Sequence, residues 1–260
     1  MVLVEGTILA TLVLAFIWLA MLYQIERGKK GHLPRIRAIP ALNALEEAVG
    51  RAAEMGGKVM FVNGIGNLTS VSGPETVAGL AVLRYLSKLS AESGVEVVAP
   101  LTQAQVIPLA VDAMRSGYQE AGQPEAFREE SIRYVSSSQW GLATSCMGII
   151  GRENAVSNIL VGAFAGECLA IISAGAEAGV FQIGGCGRNT TQMPWFVSMC
   201  DYSLIGEEVY AAGAYLSKDP IEVGSLVGQD YGKMLTAGLI ILGYIMYLFG
   251  SDILYNILGV

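Results

Sequence analysis

A run of twenty residues without a charge, Gly6 to Ile25, opens the chain. No other feature limits the fold so strongly. At about 1.5 Å per residue a helix of this length covers ~30 Å, the thickness of a bilayer's hydrocarbon core. In that medium a lone segment satisfies its backbone polar groups only as a helix. A cleaved signal peptide carries its positive charge before the apolar run and small residues after it. Here the charge follows and no A-x-A stands behind it, so residues 1–25 read as a retained anchor. A second apolar run, Met234 to Gly250, lies between Lys233 and Asp252, with Tyr231, Tyr244 and Tyr247 towards its ends. Asp219-Pro220-Ile221-Glu222 supplies an N-cap, a proline at the first helical position and an acid two residues later. These predict one juxtamembrane and transmembrane helix over 219–250. Gly224, Gly228 and Gly232 recur every fourth residue, a spacing that admits a second helix at close range. Its partner is either the chain's own first span or domain, or a neighbouring subunit.

Charge orients the spans. Arg27, Lys29, Lys30, Arg35 and Arg37 crowd the linker 26–39, while the termini, Met1 to Glu5 and the tail 251–260, carry no Lys or Arg. Positive-inside bias then puts both termini outside and the central domain on the cytoplasmic side of a plasma (inner) membrane, with the lipid bilayer as partner. From Ala38 to Gly232, ten Lys/Arg stand against twenty Asp/Glu, a net of −10. A domain that acidic, with no basic face, does not suit nucleic acid. Cys146, Cys168, Cys186 and Cys200 form no C-x-x-C and match no zinc spacing; they read as buried apolar groups in a reducing compartment. His32, the single histidine, sits in the basic linker. No metal site and no cofactor is expected.

Residues 40–218 alternate between two hydrophobic periods. Helices are predicted over Pro40–Gly56, Pro74–Ser93, Gln103–Ala121 (interrupted at Pro108), Gln139–Ile150 and Gly166–Ala178, with a further helical stretch at Thr191–Cys200. Strands are predicted at Lys58–Asn63, Val95–Ala99, Ser131–Ser136, Asn158–Phe164 and Val180–Ile183, while Tyr202–Ala214 is ambiguous. Short, continuously apolar strands between helices imply an α/β fold: a doubly wound, mostly parallel, Rossmann-like sheet flanked by the two terminal transmembrane helices.

In such sheets ligands bind beyond the carboxyl ends of the strands. Those positions hold Asn63, Gly64, Gly66 and Thr69 after the first strand, Thr102 after the second and Ser136 after the third. Glu167 follows the fourth; Gly184, Gly185, Arg188 and Asn189 follow the fifth. Gly64-x-Gly66 resembles the start of a dinucleotide fingerprint, but Thr69 stands where its third glycine belongs, and Ala99-Pro100 offers no acid for a ribose. The stretch 184–190 is rich enough in glycine to form an anion nest beside Arg188. Glu167 suits the first turn of a helix, where the dipole favours a carboxylate. Cys186, near Arg188, is a candidate for a thiol of lowered pKa. No complete catalytic motif occurs, and no residue is assigned a catalytic role.

Four stretches, Phe61-Val-Asn-Gly-Ile-Gly66, Ser137-Ser-Gln-Trp140, Ile159 to Glu167 and Gln182-Ile-Gly-Gly185, together resemble an uncharacterised prokaryotic family of membrane proteins of unknown function. The resemblance covers nearly the whole chain and implies a Rossmann-like domain between two terminal anchors. It supplies no activity and no site. Three functions remain in order of support: a membrane-anchored, non-catalytic assembly or scaffold module forming a homo-oligomer; a membrane-tethered sensor of a small metabolite or anion; and a hydrolase or transferase.

Overall fold

A computed structural model describes residues 7–31, 37–188, 191–217 and 219–249. The chain divides into two compact units, residues 1–36 with 217–260, and residues 37–216.

The first unit is a pair of helices, α1 (Thr7–Lys29) and α9 (Pro220–Leu248). The Oδ1 atom of Asp219 accepts the Ile221 N–H at 2.7 Å, and Pro220 occupies the first position, where its missing donor costs nothing. Both helices are long and apolar enough to cross a membrane. Their large apolar side chains point away from the protein: Trp18 is 65% exposed and Ile240 71%. Water would penalise each such side chain by about 1.5–3 kcal/mol relative to burial, and lipid would not. The glycine stripe of α9 faces α1. A Cβ added at Gly224 would lie 2.7 Å from Ile25 Cα, at Gly228 2.5 Å from Met21 Cα, and at Gly232 2.9 Å from Ile17 Cγ1. The stripe is therefore occupied within the chain, and of the partners open to it in the sequence the structure takes the first span.

The second unit is an α/β domain. Its strands are β1 (Lys58–Gly64), β2 (Val97–Leu101), β3 (Ile132–Tyr134), β4 (Ala155–Ala163), β5 (Phe181–Cys186) and β6 (Tyr202–Ile205). They form one sheet in the order β3-β2-β1-β4-β5-β6, and every pair is parallel. Such pairing requires crossovers, and helices supply them. α3 (Gly73–Ser93) and α4 (Ile107–Glu120) cover one face together with α2 (Pro40–Met55), which precedes the sheet. α5 (Gln139–Arg152), α6 (Glu167–Glu177) and α7 (Met193–Met199) cover the other. α8 (Glu207–Ser217) follows β6 and reaches α2, the Tyr215 hydroxyl donating to Asn43 at 2.7 Å. The central strands read as unbroken apolar runs because both their faces are covered: every residue of β4 is buried.

β3 (three residues) and α7 are shorter than the sequence reading and β4 begins earlier, at Ala155; four further differences bear on the sheet and its carboxyl edge. β2 ends at Leu101 rather than Ala99; its pairing with β1 stops at Val98, so that ladder does not need the N–H that Pro100 lacks. Pro108 does not interrupt a helix but begins one. A 3₁₀ turn (Ala104–Val106) precedes α4, and Pro108 sits in its first turn. β5 runs on to Cys186, so Gly184 and Gly185 are strand residues paired with β4 and β6. β6 is a sixth strand: four residues at the sheet edge, with one of them buried, give too little periodicity to read.

Candidate functional site

The strand order places the reversal between β1 and β4. The connection after β1 leaves towards one face and that after β4 towards the other, the arrangement at which sheets of this kind bind ligands beyond the carboxyl ends of their strands. Six of the eleven candidate ligand residues stand on this part of the edge: Asn63, Gly64, Gly66, Thr69, Thr102 and Glu167.

The loop after β1 is tied to its neighbours. Gly64 has φ +75°, and a Cβ there would collide with the Ala163 backbone, so glycine is required by conformation and by the approach of β4. The Thr102 hydroxyl donates to the Gly64 carbonyl at 3.2 Å, and the Ile65 N–H donates to Ala163 O at 2.8 Å. The side chains of the loop then satisfy its own backbone. The Asn67 Oδ1 atom accepts the N–H groups of Thr69 (3.1 Å) and Ser70 (2.8 Å), and Ser72 Oγ accepts that of Asn67 (3.2 Å). In a dinucleotide site such donors face a pyrophosphate. Here side chains hold them. Gly66 lies against Ser72, Thr76 and Ala163 rather than open to a ligand.

Asn63 is directed into the layer below. It is buried, and its Nδ2 donates to Thr76 O at 3.2 Å while Oδ1 has no partner. It fixes α3 against β1. Glu167 is fully buried as the first residue of α6, where both carboxylate oxygens accept the Ala165 N–H, at 3.0 and 3.2 Å. Burial raises its pKa against the lowering effect of those backbone bonds. The carboxylate closes the turn between β4 and α6.

The glycine-rich stretch is not the nest that the sequence suggests. Gly184 and Gly185 lie within β5: the Phe196 ring fills the space a Cβ on Gly184 would take, and the backbone carbonyl and Cβ of Leu204 fill it at Gly185. The loop begins at Gly187, and its anchor is Glu75, a residue the sequence reading passes over. Glu75 stands in the first turn of α3, is 3% exposed, and accepts the Arg188 N–H at 2.5 Å. The Tyr210 hydroxyl bonds to the same carboxylate; burial first, and Glu75 second, raise its pKa. One side chain thus joins α3, the β5 loop and α8, and leaves the Arg188 guanidinium exposed at the edge. The only sequence signal for Glu75 was its place two residues into a helix. Asn189 lies outside the described residues. Ser136 caps its own turn by accepting the Ser138 N–H at 3.1 Å, on the β3 side of the edge, away from Arg188.

Cys186 is fully buried, and burial pushes Cys168 and Cys200 up to about 12 and Cys146 higher still. Arg188 is exposed at the edge while Cys186 is enclosed in the sheet. Among the described residues no group of three or more His, Cys, Asp or Glu side chains is placed to hold a metal ion.

A six-stranded parallel Rossmann-like domain with an apolar helix at each end defines the class of this protein. The chain belongs to the family described as Domain of unknown function (DUF6754), which matches residues 2–258. Comparison with curated proteins and with solved structures gives no match.

Proposed function

We propose that the protein is a membrane-tethered receptor domain that binds a small, largely neutral polar molecule at the carboxyl edge between β1 and β4. The observation that supports this reading is the reversal of strand order there, with the loops that hold Gln103, Asn67 and Arg188 following β2, β1 and β5 on the same edge of the sheet. Arg188 supplies one cation and Gln103 an amide; the Gln103 Nε2 bonds only weakly to Ile65 O, at 3.5 Å. The self-capped β1 loop argues against a pyrophosphate. Both helices span the bilayer in this reading. The domain is then on the cytoplasmic side and both termini outside, a reading that the basic residues beside α1 support.

Thermal unfolding of the full chain in detergent tests the site. Nucleosides, monosaccharides and free amino acids serve as probes, with Arg188→Ala and Gln103→Ala as controls. Stabilisation by one class that both variants weaken supports the reading. No stabilisation by any class, or stabilisation that neither variant alters, contradicts it.

A further inference from the structure

We propose that the α5–α6–α7 face of the domain is a homodimer interface, formed with a second copy of this chain in the same membrane. The two helical layers differ sharply in charge. α2, α3 and α4 carry eleven charged residues, whereas α5, α6 and α7 carry three, Arg152, Glu167 and Glu177. Of those three, Glu167 is buried, and the other two stand at or next to the last residue of their helices. The rest of the outer surface is apolar or small. Trp140 is 57% exposed, Met147 45%, Leu169 37% and Val197 55%. A monomer's solvated helices look like the first layer; the second has the aromatic and methionine content, and the depletion of charge, that mark the centre of an interface.

Three arguments identify the occupant as a second copy. The domain is acidic, with ten Lys/Arg against seventeen Asp/Glu over residues 37–216, so two copies repel except where a surface carries almost no charge. An anionic bilayer surface finds no cluster of Lys or Arg on this face to attract it. The area is of the right order. Helices of 14, 11 and 7 residues, rising ~1.5 Å per residue and set ~10 Å apart, cover roughly 500 Å² in projection. Their ridged surface exposes more than that, against about 800 Å² per partner in a standard interface. Confinement in a membrane further lowers the affinity that pairing needs.

The face is also complementary to itself. Trp140, Thr144, Met147 and Gly151 form one stripe along α5, at positions i, i+4, i+7 and i+11. Placed antiparallel across a two-fold axis, Trp140 meets the partner's Gly151, and Thr144 meets the partner's Met147. The largest side chain then lies on a position where nothing in the chain comes within 4 Å. Such an axis lies in the contact plane, across α5, and runs along the sheet from β3 to β6. Both ends of the domain lie beside β6: Arg37 and Tyr202 line one cleft, and α8 follows β6 directly. The same axis therefore brings the first and last residues of both copies' domains to one side.

The test uses the full chain in detergent and in lipid nanodiscs. Light scattering measures its mass, and a Thr144→Cys/Met147→Cys variant is oxidised and run on a gel without reductant. The expected results are a dimer mass, a cross-linked dimer, and dissociation at least about tenfold easier in Met147→Lys, where like charges face each other near the axis. Glu54→Lys and a Glu47→Cys/Glu54→Cys pair on the charged α2 face should leave the mass unchanged and give no cross-link. A monomer in both media overturns the proposal. So does equal cross-linking from the α2 face, and so does a monomer whose Trp140 is quenched by brominated lipid, which would place the face on the bilayer.

Discussion

Replacing Gly228 with alanine or leucine should separate α1 from α9. A Cβ at this position would lie 2.5 Å from Met21 Cα and 3.0 Å from Met21 Cβ. The first of these is backbone and cannot turn aside. Ordinary carbon contacts fall at ~3.5–4.0 Å, so even alanine forces the helices about 1 Å apart at their crossing. Gly224 and Gly232 then lose their close contacts with Ile25 and Ile17, and a gap of 0.5–1 Å forfeits about a quarter to a half of each dispersion well. Overpacking of this kind costs about 1–3 kcal/mol for a methyl group and more for leucine. The assay is disulfide formation between cysteines placed at Ile17 and Gly232, one turn further along the pair, in chains carrying glycine, alanine or leucine at 228. Cross-linking should fall in that order and nearly vanish with leucine. Equal yields in all three chains would refute the packing argument, because the helices could not then be meeting along this stripe.

Glu75→Ala removes the acceptor of Arg188 N–H and Tyr210 and strands both donors; a loss of about 2 kcal/mol, or roughly 4–8 °C in Tm, is expected in a melt of the full chain. Glu153 and Glu167 should titrate stability in opposite directions. Arg133 above all, then Lys58, holds the Glu153 carboxyl below its ordinary range, so the stability from that pair is present above the ordinary pKa and is lost as pH falls through the depressed one. Burial raises Glu167, so its folded form binds the proton more tightly, and its contribution falls as pH rises from the ordinary value through the raised one. Melts across acidic pH should therefore show Glu167→Gln flattening the loss on the alkaline side of that window and Glu153→Gln flattening the loss on the acid side; parallel curves for both variants and the parent would contradict the assignment. Cys146, Cys168 and Cys200, with thiols pushed up by burial, should resist maleimide near neutral pH until the chain is denatured, as intact mass would record.

The sequence reading reached the fold because its signals were local and repeated. β1 and β4 are apolar without interruption, α2 carries its apolar residues on one face, and Gly56 and Gly94 end their helices in the left-handed conformation. It left Tyr202–Ala214 ambiguous because β6, Tyr202–Ile205, is short and buries only one of its residues. It misplaced Gly184 and Gly185 because glycine in a strand looks like a turn until the residues that fill its space, Phe196 and Leu204, are known. The site was legible as a set of strand ends but not as chemistry. The roles of Glu75 and Tyr210 depend on contacts with residues more than a hundred positions away or in another helix, and no pattern of spacing encodes them. The α5–α7 face was written in the sequence as the absence of charge, which periodicity alone does not weigh.

Native mass spectrometry of the full chain, released from mild detergent, tests the receptor reading most directly. The account predicts a chain or dimer that carries the same small adduct in every preparation, and an Arg188→Ala variant that loses it. A bare polypeptide mass in every preparation, or an adduct that survives Arg188→Ala and Gln103→Ala alike, would contradict a ligand at the β1–β4 edge.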